Sequence, residues 1–325
     1  MIKVIQSGIQ TTIQDQGRTG YQSFGISVGG AMSTYSSRLA NILVGNELTL
    51  PILEIVQSPH SFFFEEDALV SFCGGGLIPE LNEKELPVYE PILIEAGSII
   101  KLHKPQAGFR LYMSIAGGFK AELFLGSYST HLISGSGGYS GRIIRKNDCL
   151  SVQTKPSFLS QNIQELIKRN LYFNLDKTRL PKIFSKTIRI IKGSEYNELS
   201  ESSKQKLTSS IFTVSNDYNR MGYRLKGEPL SLSQPKEMIS SATTKGTIQL
   251  LPDGQIIALM ADYQTVGGYP KIAHIIEADH CICAQLKPGD EISFVMISLE
   301  EAEQLYLEQE ERLVQVRETI QQIFS

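Results

Sequence analysis

The chain has 325 residues, with 31 Lys and Arg against 34 Asp and Glu, 41% hydrophobic residues, 27 Gly and no Trp. A formal net charge of -3 lacks the basic excess that draws in nucleic acid by counterion release, and the apolar share is too high for a disordered chain. No apolar run reaches the roughly 18 residues that cross a bilayer, and the start Met1-Ile2-Lys3-Val4 has no signal-peptide core, so a cytoplasmic protein with neither membrane nor nucleic acid as partner is expected.

In chain order, Ile2 to Ile5 opens a series of short strands rich in β-branched and aromatic residues. From Ala31 to Val44, Met32, Tyr35, Leu39 and Ile42 recur at helical spacing before the Gly45-Asn46 stop. Strands follow at Phe62 to Phe64, Ala68 to Cys73, Ile92 to Glu95, Ser98 to Leu102 and Phe109 to Ile115. Phe158 to Leu171 reads as a helix, and the polar stretch to Lys186 as a linker. Beyond it come a strand at Thr187 to Lys192, a polar helix at Glu195 to Leu207, and strands at Gln255 to Met260 and Glu291 to Ile297. A final helix begins at Ser298, where Ser298 and Glu301 form a capping box, and carries a Leu313, Val316, Ile320, Ile323 seam. The fold class is therefore mainly β (α+β), without the strand-helix alternation of a doubly wound sheet. The expected domains are a β half at 1–155, a helix and linker at 156–187, a second β half at 188–297 and a C-terminal amphipathic helix at 298–325.

Asp15-Gln16-Gly17-Arg18-Thr19-Gly20-Tyr21 and Asp217-Tyr218-Asn219-Arg220-Met221-Gly222-Tyr223 share the spacing D-x-x-R-x-G-Y, followed in both by Gly four residues on, as if the halves were related. The densest polar cluster is Asp262-Tyr263-Gln264-Thr265-Val266-Gly267-Gly268-Tyr269-Pro270-Lys271, at the end of an apolar strand that would aim its side chains. Asp262 is the candidate general base and Lys271 the candidate holder of a carboxylate, phosphate or oxyanion. Gln264, Thr265, Gly267, Gly268 and Tyr269 are candidate substrate contacts, against the alternative of a surface loop with an Asp262–Lys271 ion pair. Arg18 and Arg220 read either as anion clamps or as arginines that tie a turn to the fold. Gly25-Ile26-Ser27-Val28-Gly29 matches a nucleophile elbow without its α/β context. His280-Cys281-Ile282-Cys283, taken as a strand, reads as two buried thiols beside an edge histidine rather than a zinc site, and no metal is expected.

Taken together, Thr11-Thr12-Ile13-Gln14-Asp15-Gln16-Gly17-Arg18, Gly30-Ala31-Met32, Leu39 to Asn46, Ala116-Gly117-Gly118, Arg220 to Leu225, Gly267 to Ile272 and Ala284 to Asp290 resemble a known family. It is that of the biotin-dependent carboxyltransferase-like proteins, also called allophanate hydrolase subunit 2 or KipA, which includes the C component of bacterial 5-oxoprolinase. The resemblance implies two cyclophilin-like β-barrel halves and a chain inactive alone. The implied partners are a KipI-like B component of 5-oxoprolinase and a LamB/YcsF-like A component, the substrate a lactam or amide, and the energy source ATP acting on the assembled complex. No metal or biotin attachment is evident in this chain. The implied reaction opens 5-oxoproline to L-glutamate; the alternatives are the carboxyltransferase component of a biotin-dependent urea or amide carboxylase, and a KipA-like protein that sequesters a KipI-like kinase inhibitor. Asp262, Lys271 and Arg220 are then the catalytic candidates, with Asp15 and Arg18 among the substrate contacts. The chain departs from the family at Ser33, Asn219, Ser241 and Tyr263, neutral residues where many relatives carry charge.

Overall fold

The computed structural model describes residues 1–154, 180, 182–236 and 238–324; the side chain of Ile323 and the expected helix at Phe158 to Leu171 lie outside the described residues. Two compact units emerge. The first comprises Met1–Gly17, Ser33–Pro181 and Glu310–Ser325, the second Arg18–Met32 and Lys182–Gln309.

In the first unit the strands form two antiparallel sheets. One runs Cys149–Leu150, Ile2–Gln6, His60–Phe64, Ile99–Pro105, Leu77–Leu81 and Lys84–Glu85; the other runs Thr11–Gln14, Ile52–Val56, Arg110–Ile115, Ala68–Gly74 and Pro91–Ile94. Their inward side chains share one core that includes Val4, Ile13, Leu53, Phe62, Phe72, Leu102 and Met113. The helix Thr34–Leu43 starts where the Ser33 hydroxyl accepts the Ser36 N–H at 3.0 Å. It packs on the strands Ala68–Gly74 and Arg110–Ile115, burying Tyr35, Leu39, Ile42 and Leu43.

The Leu39 to Asn46 motif has a structural explanation. Asn46 donates to Asn41 Oδ1, Ser114 Oγ and the Ile115 carbonyl, and accepts from Gly117 N–H, while Asn41 donates to the Leu50 carbonyl at 2.7 Å. These buried amides satisfy backbone of Leu50 and Gly117, outside the strands, and of Ile115 at a strand end. Asp15 has a comparable task. It accepts from Ser127 Oγ at 2.6 Å, Ser129 Oγ at 2.5 Å, Tyr128 N–H at 2.6 Å and Gly17 N–H at 2.8 Å.

In the second unit seven strands close a barrel in the order Thr187–Lys192, Lys271–Ile275, Thr247–Leu250, Ile256–Leu259, Gly222–Lys226, Phe212–Tyr218 and Glu291–Met296. The alternation that identifies these strands also fills the barrel: Ile188, Ile190, Tyr223, Leu225, Ile292 and Phe294 are buried. A parallel pairing of Thr187–Lys192 with Glu291–Met296 completes the ring. Asp279, fully buried, accepts the Arg189 N–H and two guanidinium nitrogens, tying the barrel to the turn that follows Lys271–Ile275.

Three helical expectations sharpen against this structure. The polar helix expected from Glu195 to Leu207 is a 3-10 turn, Tyr196–Glu198, and a separate helix, Glu201–Ser209, because Ser200 caps a fresh start by accepting from Ser203 N–H. The capping box forms as expected: Ser298 N–H donates to Glu301 Oε2 at 2.9 Å and Glu301 N–H to Ser298 Oγ at 3.1 Å. The helix Leu299–Phe324 buries Leu313, Val316 and Ile320, and within the first unit Arg38 grips Glu310 through two bonds of 2.5 and 2.6 Å. The strand expected at His280 to Cys283 is instead a helical turn, His280–Cys283, following a 3-10 turn, Glu277–Asp279. No helix among the described residues is long and apolar enough to cross a membrane.

Buried polar groups of the first unit make its stability testable. Asp15→Asn replaces an acceptor of four donors with a group that can accept at only one atom, and should cost about 3 kcal/mol in denaturant unfolding; an unchanged midpoint would refute the anchoring role. His60, fully buried, donates from Nδ1 to the Ser58 carbonyl and accepts at Nε2 from Thr11 Oγ1, so its neutral form is the satisfied one. Burial lowers its pKa from 6.5 to about 4. Below pH 6.5 the unfolded chain takes up a proton that the native site refuses, so stability falls as pH drops from 6.5 towards 4, with about 3 kcal/mol coming from this group. Melting temperature against pH should show that slope, and His60→Gln should reduce it, the buried His274 supplying the remainder; a slope unchanged in His60→Gln would contradict the assignment.

Candidate functional site

The second unit contains the cluster that holds most of the candidate chemistry. Arg220 sits in the hairpin turn between Phe212–Tyr218 and Gly222–Lys226, where Asn219 Oδ1 accepts the N–H groups of Met221 and Gly222 and fixes the turn. Asp262 follows the strand Ile256–Leu259 and donates its N–H to the Arg220 carbonyl at 2.8 Å. The side chains meet above these backbone ties. Arg220 Nε donates to Asp262 Oδ2 at 2.8 Å and Nη2 to Oδ1 at 3.1 Å, and Nη2 also donates to the Gly30 carbonyl at 2.5 Å.

The Arg18–Met32 segment brings the third charge. Its ends are drawn together by Arg18 N–H to the Val28 carbonyl, and Gly29 N–H donates to the Ala261 carbonyl at 3.1 Å. Gly29 adopts φ +68, and where a Cβ would stand Arg18 Nη1 is 2.8 Å away and Asp262 Oδ1 3.5 Å away. A side chain there would be strained by the backbone and would collide with the guanidinium. Arg18 and Arg220 are both almost wholly buried, at 1% and 5% exposure. One guanidinium thus bonds the Asp262 carboxylate and a second, that of Arg18, shares its neighbourhood at Gly29, charges of a kind that can meet an anionic or oxyanionic group.

The remaining candidates form a second group. Val266–Gly267 pairs with Ser241–Ala242 as a two-stranded ribbon, and Thr243 bonds to the carbonyls of Gln264 and Thr265. The Lys271 ammonium bonds Ser241 Oγ and lies 3.9 Å from Glu195 Oε2. No hydrogen bond or ion pair joins Lys271 to Asp262 among the described residues, so the ion pair considered from sequence is replaced by Arg220–Asp262. Gln264, Gly268 and Tyr269 are exposed, whereas Thr265 is buried. Asp15 belongs to the first unit, with its carboxylate bonded there.

The four neutral departures each have a partner. Ser33 caps a helix, Asn219 builds the Arg220 turn, and Ser241 meets Lys271. Tyr263 is buried beside Gln22, and burial raises its phenol pKa. Sequence reading missed Gly29, Glu195 and Gln249, whose amide nitrogen is buried against Gly267. For Gly29 the signal was present in Gly29-Gly30; for Glu195 and Gln249 nothing local distinguished them. Ser27 of the apparent elbow is buried on a loop with no helix directly after it. Among the described residues no group of three or more His, Cys, Asp or Glu is arranged to hold a metal.

The family model for the carboxyltransferase domain, subdomain A and B, matches residues 24–296. The chain is 37% identical over 317 residues to the 5-oxoprolinase C subunit of Escherichia coli (strain K12), covering 95% of this chain and 97% of that protein. It is 35% identical over 323 residues to the Haemophilus influenzae protein of the same name, covering 98% and 99%. Urea amidolyase of Saccharomyces cerevisiae is 30% identical over 320 residues, 94% of this chain but 17% of that protein. The crystal structure of K. lactis urea amidolyase matches with a TM-score of 0.85 at 27% identity, over 97% of this chain and 20% of that one. With a family model spanning most of its length and relatives aligned almost end to end, the chain belongs to the carboxyltransferase domain, subdomain A and B, family.

Proposed function

We propose that this protein is the C component of an ATP-dependent 5-oxoprolinase, working with a KipI-like B component and a LamB/YcsF-like A component. The observation that carries this reading is the alignment with two 5-oxoprolinase C subunits over 97% and 99% of their lengths, against a fifth or less of urea amidolyase. Opening 5-oxoproline adds water across the ring amide: a C–O bond forms at the carbonyl carbon, the C–N bond breaks, and the nitrogen leaves with a proton. An unstrained lactam is a poor electrophile, and ATP supplies activation of its carbonyl oxygen in the assembled complex. In this chain Asp262 is the group that accepts or holds a proton, with Arg220 fixing its orientation through two bonds. Arg18 and Lys271 are the cations that would face a carboxylate or developing oxyanion.

Because Asp262 is in a nearly buried ion pair, its replacement will also affect folding, and the test needs a matched control. Asp148 is similarly gripped by Arg142, at 2.7 and 2.8 Å, in the first unit. Co-expression of the three components should give ATP-dependent glutamate release. In that complex Asp262→Asn should lower turnover at least about 100-fold, and Asp148→Asn, at a temperature where both fold, should not. A folded three-component complex without glutamate release would overturn the assignment, as would carboxylation of a urea-like amide that depends on a biotinylated carrier. Full turnover in Asp262→Asn would remove Asp262 from the chemistry.

A further inference from the structure

Away from that cluster, two histidines of the second unit converge on one glycine. Gly246 precedes the strand Thr247–Leu250; its N–H donates to the Leu259 carbonyl and its carbonyl accepts from Ile275 N–H, both at 2.8 Å. Its φ is +89, and where a Cβ would stand His280 Nε2 is 2.7 Å away, the Ile275 carbonyl oxygen 2.8 Å and His274 Nε2 3.1 Å. The two imidazole nitrogens are therefore no farther apart than the sum of two such short distances. His274 is placed by the strand Lys271–Ile275, where it pairs with Thr247, and His280 by the helical turn His280–Cys283. A strand at 280–283 would have no reason to bring them together, so this juxtaposition follows from the change of element.

The chemistry of the pair is specific. His280 is 2% exposed, and its Nε2 is buried with no hydrogen-bond partner among the described residues. Glu277 Oε2 lies 3.0 Å from its Nδ1, a carboxylate on the side of the ring away from Gly246, while Nε2 is the nitrogen near His274. His274 Nε2 lies 3.1 Å from the same Gly246 position, so both imidazoles bring the same nitrogen to one place. A buried ring nitrogen without a hydrogen-bond partner, next to a second imidazole nitrogen, is a place that an ion or a water would satisfy. A carboxylate on the far nitrogen is the usual outer partner of a metal-bound imidazole. The neighbouring thiol Cys281 is turned to its own backbone, its Sγ donating to the Ala278 carbonyl at 3.3 Å.

We propose that His274 and His280 bind one divalent transition-metal ion of the zinc class, with Glu277 orienting His280 and the Ile275 carbonyl and solvent completing its coordination. Imidazole nitrogens on a tetrahedral zinc ion lie about 3.4 Å apart, a separation within the limit set by their common approach to Gly246. The ion would clip the strand Lys271–Ile275 to the turn Glu277–Cys283.

The test uses the full chain carrying Cys149→Ser, which removes the exposed thiol, stripped with chelator and titrated with zinc chloride at pH 7.5. One zinc ion per chain is expected by calorimetry, with a rise in melting temperature. His274→Gln, at a half-buried position, should weaken binding at least about 10-fold and abolish the thermal shift, and Glu277→Gln should weaken it about 10-fold or more. Cobalt(II) should give a visible absorption band that His274→Gln loses, a readout that does not depend on any activity. Absence of stoichiometric zinc, or binding unchanged in His274→Gln, would overturn the site; because neither result involves turnover, the 5-oxoprolinase reading would be unaffected.

Discussion

The Arg220–Asp262 pair depends on three stretches of chain being where they are. Arg220 comes from a hairpin turn, Asp262 from the end of a barrel strand, and the Gly30 carbonyl from the Arg18–Met32 segment, and one guanidinium bonds both partners. Side-chain exposures of 5% and 11% leave little water to replace either partner. Removing one member of such a pair strands a charge and typically costs about 3–5 kcal/mol, which explains why backbone bonds reinforce the same contacts: Asp262 N–H to Arg220, Met260 N–H to Met221, Gly29 N–H to Ala261. Rigidity of this kind also suits chemistry, since a carboxylate held at two oxygens cannot rotate away from a bound group.

The neutral residues at positions 33, 219 and 241 are each engaged in local bonding. Ser33 and Asn219 both act on their own backbone, one as a helix cap and the other as a turn former. Ser241 gives the Lys271 ammonium a neutral partner, with Glu195 the nearest carboxylate at 3.9 Å, so the cation is less neutralised than a close ion pair would leave it. Arg220 is bonded to Asp262, and Arg18 Nη1 and Asp262 Oδ1 both lie near Gly29.

Much of the mainly β architecture was legible because strands such as Thr187–Lys192 and Glu291–Met296 alternate apolar and polar residues. Strands such as Ile52–Val56 escaped notice because every residue is buried and no alternation exists, and Thr11–Gln14 because buried polar residues mimic a loop. The Ser298–Glu301 capping box was legible since both partners lie within one turn. His-Cys-Ile-Cys misled for the opposite reason: its alternation imitates a strand, while the Arg189–Asp279 contact that accompanies the helical turn comes from far away in sequence. The same holds for the site. Asp262 and Arg220 were visible as residues, but their pairing, and the approach of Arg18 to Gly29, are properties of the folded unit.

The proposed reaction requires Arg220 and Asp262 to act as one chemical device. A double-mutant cycle on turnover of the assembled complex, with Arg220→Lys, Asp262→Asn and the double variant, measures this most directly. If the pair works as a unit, the double variant is no slower than the slower single variant, because the first substitution already removes what the second would. Losses that multiply independently would contradict it.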